Sequence, residues 1–331
     1  MLRPTLKSVA EKANCSYSVV SRVLSGRMGN TRVSEESVAR IKTAAAELGY
    51  TPNPVATSLR NKKTNTIGLI LTTTANPFFT DMLNTFEETA AANDHSILFN
   101  TSQNSVEHQL TAVRRMLGYY PSGVILNTWG DDAQAAIQEM VDKENIDTPV
   151  VFISQTNDIG SYVRCDLVES YARATCELIE RGYTKIGFMG PELQGGRHEG
   201  LFNVLTKEGL STDYSMPCRF SSEDGEFASA YKGVLKNLES GGSLPEVYFC
   251  YSDLMAQGMF RAFTEKGLRV PEDVAIVTTD NSVLAKTNCV PLTSLAYPSE
   301  EIARVALESV LNGKSIQKTL IAPVIWRGST K

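Results

Sequence analysis

From Thr66 onward the chain repeats one texture. Short, almost wholly apolar runs, TIGLILT (66–72), SILFNT (96–101), GVILNT (123–128), PVVFIS (149–154), KIGFMG (185–190), EVYFCY (246–251) and VAIVTT (274–279), alternate with amphipathic stretches of helical length. The latter fall at 78–93, 106–117, 132–144, 168–181, 223–239 and 253–267. A strand that is apolar along its whole length has both faces covered, and a helix after each strand makes the pairing parallel. The fold class is therefore α/β, doubly wound. These runs are too many for one compact sheet, so two are expected, the second beginning on the approach to Asp166. LTSLAY (292–297), a helix over 299–313 and TLIAPVIWRGST (319–330) are expected to return to the first.

The residues before Thr66 differ in charge and in period. Residues 1–63 hold 11 basic and 4 acidic residues, a net of +7, while the remainder holds 21 and 33, a net of −12. A cationic segment on an anionic body points to a polyanionic partner. Thr5 can cap a helix with Leu6, Val9, Ala10 and Ala13 at helical spacing. Asn14 suits a turn at positive φ, Ser16 starts a second helix, and Ser34 caps a third that carries Val38, Ile41, Ala45 and Leu48 and stops at Gly49. This is a three-helix unit.

On a helical wheel the second helix divides cleanly. Tyr17, Ser21, Ser18 and Arg22 span about 140° of arc, and Val19, Val23, Val20 and Leu24 fill the opposite side. The valine side suits a packing surface. The other side is short-armed, which allows close approach, and its guanidinium can fork to guanine O6 and N7 in a major groove. The pattern reads as the recognition helix of a helix-turn-helix unit. The stretch TPNPVATSLRNKKTN (51–65) then forms a linker whose VATSLR segment could make one or two helical turns, too short to be stable alone.

These motifs resemble the lactose-repressor (LacI/GalR) family of transcription regulators. The likeness runs through T5-L6-K7-S8-V9-A10-E11-K12-A13, S16-Y17, V20-S21-R22-V23-L24, V33-S34, G49-Y50-x-P-N53-x-V-A56-x-S-L59, N76-P-F-F79, E180-R-G-Y, G267-L-x-V-P-E-D-V274 and R327-G-S-T. The resemblance implies a headpiece over 1–50, a hinge helix and linker over 51–65, and an effector-binding and dimerisation core over 66–331 of the periplasmic-binding-protein type. It places an N-subdomain at about 66–163 with 292–322, and a C-subdomain at about 164–291 with 323–331. It implies base reading by Tyr17, Ser18 and Arg22, with Thr5, Ser16, Ser21 and Asn53 as further DNA contacts and Leu59 wedged into the minor groove beside Ala56. Two hinges meeting at one point require a homodimer on a pseudo-palindromic operator. The absence of a heptad repeat after Arg327-Gly-Ser-Thr favours a dimer over a tetramer.

Ligands in doubly wound folds sit beyond the carboxyl ends of strands. That rule selects Thr73, Asn127, Trp129, Ser154, Ser252 and Asp280 as effector-binding candidates, with Thr72 beside Thr73; motif matching adds Phe78, Phe79, Arg197 and Phe220. The effector class implied is a sugar or sugar derivative, with a purine or nucleoside as the alternative. The sequence departs from the family pattern in the helix-turn-helix turn at Asn14-Cys15, which can be accommodated there, and at Asp166-Leu167, Ser252-Asp253 and Thr278-Thr279-Asp280, which cluster near the cleft and bear on the ligand rather than the fold.

Other classes fit poorly. G-x-S-x-G, H-E-x-x-H, G-x-x-x-x-G-K-[ST] and G-x-G-x-x-G are absent, and His95, His108 and His198 are far apart, so neither an enzyme, a metal site nor a cofactor is expected. Asp131-Asp132 and Glu87-Glu88 are adjacent pairs that point to different sides of a helix. A transport solute-binding protein would suit the body but not the basic headpiece or the missing signal peptide. Six scattered cysteines and no run of about 20 apolar residues suggest reduced thiols in a cytoplasmic, non-membrane protein.

Overall fold

The computed structural model describes residues 4–24, 33–50, 64–102, 105–128, 131–153, 157–191, 195–218 and 224–331. The chain divides into two compact units, 1–64 and 65–331. In the first, α1 (Leu6–Ala13), α2 (Tyr17–Leu24) and α3 (Glu35–Leu48) enclose a core of Val9, Val20 and Ile41, with Ala10, Ala13, Val23, Ala44 and Ala45 around them. The local signals act as expected. Thr5 and Ser8 form a reciprocal capping box, the Ser34 hydroxyl accepts from the Ser37 N–H at 3.3 Å, and Gly49 ends α3 at φ 62°. Asn14 makes the turn at φ 49°.

The second unit holds two six-stranded sheets. One contains β1 (Thr66–Leu71), β2 (Ser96–Thr101), β3 (Gly123–Leu126), β4 (Val150–Phe152) and β5 (Ser161–Cys165), joined by β11 (Gln317–Leu320), in the order β11-β5-β4-β3-β1-β2. The other contains β6 (Ile186–Gly190), β7 (Met216–Pro217), β8 (Val247–Cys250), β9 (Ala275–Thr279) and β10 (Thr293–Leu295), joined by β12 (Val324–Ile325), in the order β12-β10-β9-β8-β6-β7. All pairs are parallel except β10 with β12. Strand order therefore reverses between β1 and β3 in one lobe and between β6 and β8 in the other, which opens a crevice at the carboxyl ends of each.

The connecting helices are α4 (Pro77–Ala91), α5 (Val106–Leu117), α6 (Asp131–Lys143), α7 (Leu167–Glu180), α8 (Gly195–Lys207), α9 (Gly225–Glu239), α10 (Asp253–Glu265), α11 (Val283–Thr287) and α12 (Ser299–Asn312). Each sheet carries an apolar cluster on either face. Ile67, Leu69 and Phe86 meet α12 on one side of the first sheet, and Ile70, Val113 and Phe152 lie on the other. Cys165, Cys218 and Cys250 are buried and free, as expected of packing thiols; burial pushes Cys165 up to about 11 and Cys218 up to about 12.

The structure corrects the subdomain boundaries. Residues 293–295 were expected in the first lobe with the rest of 292–322, but Thr293, Ser294 and Leu295 pair with Val277, Thr278 and Thr279 in the second sheet. The return follows them, and α12 packs on the first sheet. An apolar run does not encode which sheet it joins. Here the Thr293 N–H donates to the Ser329 hydroxyl at 2.8 Å, and the Ser294 hydroxyl donates to Asp253 at 3.0 Å. The other crossing falls after Cys165, since β5 stays in the first sheet; Arg164 and Ser161 interrupt its apolar pattern and hide it from a periodicity search.

Helices α9 and α10 touch at Gly258. A Cβ there would come within 2.1 Å of the Phe227 carbonyl oxygen, whereas one at Gly233 in α9 would meet its nearest neighbour at 3.7 Å. Gly258→Ala is expected to cost about 1–3 kcal/mol by forcing the helices apart. Gly233→Ala should be neutral or stabilising through helix propensity alone. Thermal unfolding of the two variants checks this, and equal melting temperatures would contradict the packing described.

Candidate functional sites: a DNA interface and an interlobe cleft

In the first unit α2 divides as its sequence does. Val20 and Val23 are buried, Val19 and Leu24 are half-buried, and all four pack in the headpiece core. On the opposite side Tyr17 is 58% exposed, Ser18 and Arg22 are exposed, and Ser21 is half-buried. Ser16 is exposed at the start of the helix; its carbonyl accepts from the Val20 N–H at 3.1 Å, and its hydroxyl lies 3.2 Å from that of Ser18. Thr5 is exposed, and its hydroxyl accepts from the Ser8 N–H at 3.2 Å, which leaves its proton available to an acceptor. Asn53, Ala56 and Leu59 lie outside the described residues.

The second site lies between the lobes of the 65–331 unit. Asp280 follows β9 directly. It has φ 111°, a conformation that L-residues rarely adopt, and it is buried. Its Oδ2 is among the buried polar atoms without a partner in the described residues, as is Nε of Arg197. Burial holds the Asp280 carboxyl well above the ordinary carboxylate range, helped by the neighbouring Asp253 and Glu226 and opposed by Arg197. Arg197, in the first turn of α8, lays its guanidinium 4.2 Å from the centre of the Tyr251 ring. Two hydrogen-bonding groups with unmet capacity thus lie close together among aromatic rings.

The turn that carries Asp280 is built around a fully buried carboxylate. Asp253, the first residue of α10, accepts from the Ser282 N–H at 2.7 Å, the Ser282 hydroxyl at 2.8 Å, the Ser294 hydroxyl at 3.0 Å and the Thr278 hydroxyl. Arg327 donates to Asn281 Oδ1 at 2.5 Å from the other side. The positive φ at 280 and 281 is therefore held in place by hydrogen bonds from β9, β10, α10 and the C-terminal segment.

The remaining candidates divide between the cleft and the core. Ser252 caps α10, accepting from the Met255 N–H at 3.1 Å, and its hydroxyl donates to Glu226. The Thr73 hydroxyl accepts from the Ala75 N–H at 3.0 Å. Asn127 is 9% exposed, and its amide donates to the Ile153 carbonyl at 3.3 Å, so it braces β3 against β4. Phe78 stands edge-on to Phe79 and to Tyr297, with ring centres 5.1 and 5.2 Å apart, and both phenylalanines pack against the first-lobe core. Phe78, Tyr297 and Asp280 also line a cavity of about 580 Å³. Trp129, Ser154 and Phe220 lie outside the described residues. Sequence reasoning missed Tyr251, Tyr297 and Glu226; it met Asn76 in a family motif and Asp253 as a departure near the cleft, and gave neither a role in the site. Tyr251 could have been found, since it directly follows a strand; Glu226 carries no local signal beyond an acid in a first helical turn.

Residues 5–53 match the lacI family of bacterial regulatory proteins, and residues 175–330 match a periplasmic binding protein-like domain. The ribose operon repressor of Haemophilus influenzae is 28% identical over 93% of this chain and 91% of its own. The chain belongs to the LacI family. The transcriptional repressor PurR of Aliivibrio salmonicida is 29% identical, with 93% of this chain and 91% of its own covered. The Lac repressor dimer bound to operator and the anti-inducer ONPF superposes with a TM-score of 0.85 at 25% identity, covering 99% of each chain. As a LacI-family member this chain is a DNA-binding regulator, not an enzyme. No helix among the described residues is long and apolar enough to cross a membrane.

Asp280 gives a stability signature with a definite sign. Its folded-state pKa is raised, so ionisation opposes folding once the pH exceeds the unfolded value, near 4. Asp280→Asn removes that cost while keeping a residue that tolerates positive φ. The variant should match the parent in melting temperature at about pH 4 and exceed it by a margin that grows as the pH rises toward 8. A pH-independent difference would contradict a buried carboxyl with one oxygen left without a partner among the described residues.

Proposed function

We propose that this LacI-family chain is a repressor that grips a pseudo-palindromic operator as a homodimer and loosens or tightens its grip when a small hydroxylated molecule, a sugar or sugar derivative, enters the cleft. One observation carries the DNA half of the reading: α2 buries its valine face and leaves Tyr17, Ser18 and Arg22 exposed together. Short polar arms on a rigid helix can reach base edges, and Thr5 and Ser16, at helix starts, suit phosphate. One such helix reads one half-site, so a second copy of the chain supplies the other. The Lac repressor, bound to operator as a dimer, supports this stoichiometry. The assignment of 1–50 as headpiece, 51–65 as hinge and 66–331 as core belongs to the same proposal, as does a cytoplasmic location. Asn53, Ala56 and Leu59 are its hinge contacts.

The ligand class follows from chemistry. Arg197 and Asp280 bring a fixed fork of donors and a carboxyl with an unused oxygen into one buried space, a pairing that suits vicinal hydroxyls. Phe78 turns its ring on those of Phe79 and Tyr297, which favours hydrogen bonding over ring stacking as the source of selectivity. Thr73 follows β1 in the first lobe and Ser252 follows β8 in the second. A ligand that prefers one lobe arrangement changes operator affinity by its difference in affinity for the two, about 1–3 kcal/mol in a typical case.

Operator fragments selected from random duplex DNA by the full-length protein supply the test. Arg22→Ala should weaken binding to the selected fragment by about 1–3 kcal/mol, roughly 5- to 150-fold, and relax preference at the base pair it contacts, with thermal unfolding unchanged. Footprints and affinity identical to the parent would refute the assignment of α2.

A further inference from the structure

The two lobes of the core are joined across the cleft by polar contacts from two helices. Asn76, 5% exposed, caps α4 of the first lobe, its Oδ1 accepting from the Phe78 N–H at 3.0 Å. Its Nδ2 reaches the second lobe, 3.2 Å from each carboxylate oxygen of Glu226 in the first turn of α9. On its other side the Glu226 carboxylate accepts from the Ser252 hydroxyl, the cap of α10. Farther along α4, Asp81 Oδ2 accepts from the Val283 N–H at 3.2 Å, at the first residue of α11. Two helices of the second lobe are thus tied to one helix of the first, and the cap of α4 is one of the ties.

We infer that Glu226 is a built-in latch: its carboxylate, held by Ser252 of its own lobe, ties the lobes together through Asn76. A charged acceptor makes stronger hydrogen bonds than a neutral one, and a half-buried carboxylate needs donors to replace lost water. If the lobes parted, Asn76 would retain its capping bond through Oδ1 but lose its partner for Nδ2, and Glu226 would keep only Ser252. Separation therefore costs the interlobe bonds alone, which is what a reversible closure requires. The same opening would release the Val283 N–H from Asp81. The latch stands on the core's geometry alone and goes beyond the effector reading, because every donor and acceptor in it belongs to the chain itself.

Hydrogen exchange of the full-length protein, with no ligand added, tests this. In Glu226→Ala, amides of 76–83 and of 281–287, which lie in different lobes, should exchange at least about five-fold faster than in the parent, because separation exposes both faces of the cleft. Glu226→Gln should show a smaller rise, since its amide oxygen still accepts one bond. Asn76→Asp supplies an independent variant: its carboxylate can still cap α4 but faces Glu226 as a like charge. It should speed exchange at 281–287, which it does not touch. Changes confined to 224–231 and 250–256, the segments around Glu226 and Ser252, would overturn the inference, as would unchanged exchange at 281–287 in Asn76→Asp.

Discussion

Parallel strands buried on both faces leave only their ends for chemistry. In the 65–331 unit every strand of the two sheets except β12 runs the same way as its neighbours, and helices cover the faces. Polar groups therefore collect where strands stop and helices start: Thr73 and Asn76 after β1, Ser252 and Asp253 after β8, Asp280 to Ser282 after β9. A buried carboxylate at such a place must be given donors, and Asp253 takes four from three segments. That network fixes the turn on which Asp280 sits at φ 111°. The cleft is thus a consequence of layer architecture made specific by one well-satisfied acid and one with an unused oxygen.

The headpiece follows a different economy. It is small, so its stability rests on a few fully buried side chains, chiefly Val9, Val20 and Ile41, each contributing about 1.5–3 kcal/mol by leaving water. With one side of α2 committed to that core, the other is available for contact. Lys12 and Arg40 pair with Glu47 and Glu36 at 2.7 and 3.4 Å, so part of the positive charge stabilises the helices. Exposed pairs of this kind contribute little and rearrange readily near phosphates.

Much of this was legible in the sequence because periodicity and capping are local. The seven apolar runs became strands close to their expected limits, and Thr5, Asn14, Ser34 and Gly49 act as their residue types suggest. Long-range pairing was not legible. Thr293–Leu295 joined the second sheet because of Ser329 and Asp253, residues distant in sequence. Site chemistry was partly legible: Asp280, Arg197 and Ser252 follow from strand ends and motifs. Asn127 meets the same rule and instead braces Ile153, because a strand end offers polar residues a structural use as well as a functional one. Glu226 was hidden, since an acid in a first helical turn ordinarily answers the helix dipole.

The central claim is that the hydroxyl-and-guanidinium side of α2 faces duplex DNA. Photo-crosslinking from a benzophenone amino acid placed at position 17, in the full-length protein bound to its selected operator, tests it most directly. The account predicts crosslinks to bases at symmetry-related positions in both half-sites, competed away by unlabelled operator. Efficient binding of the operator with crosslinks only to protein would contradict it.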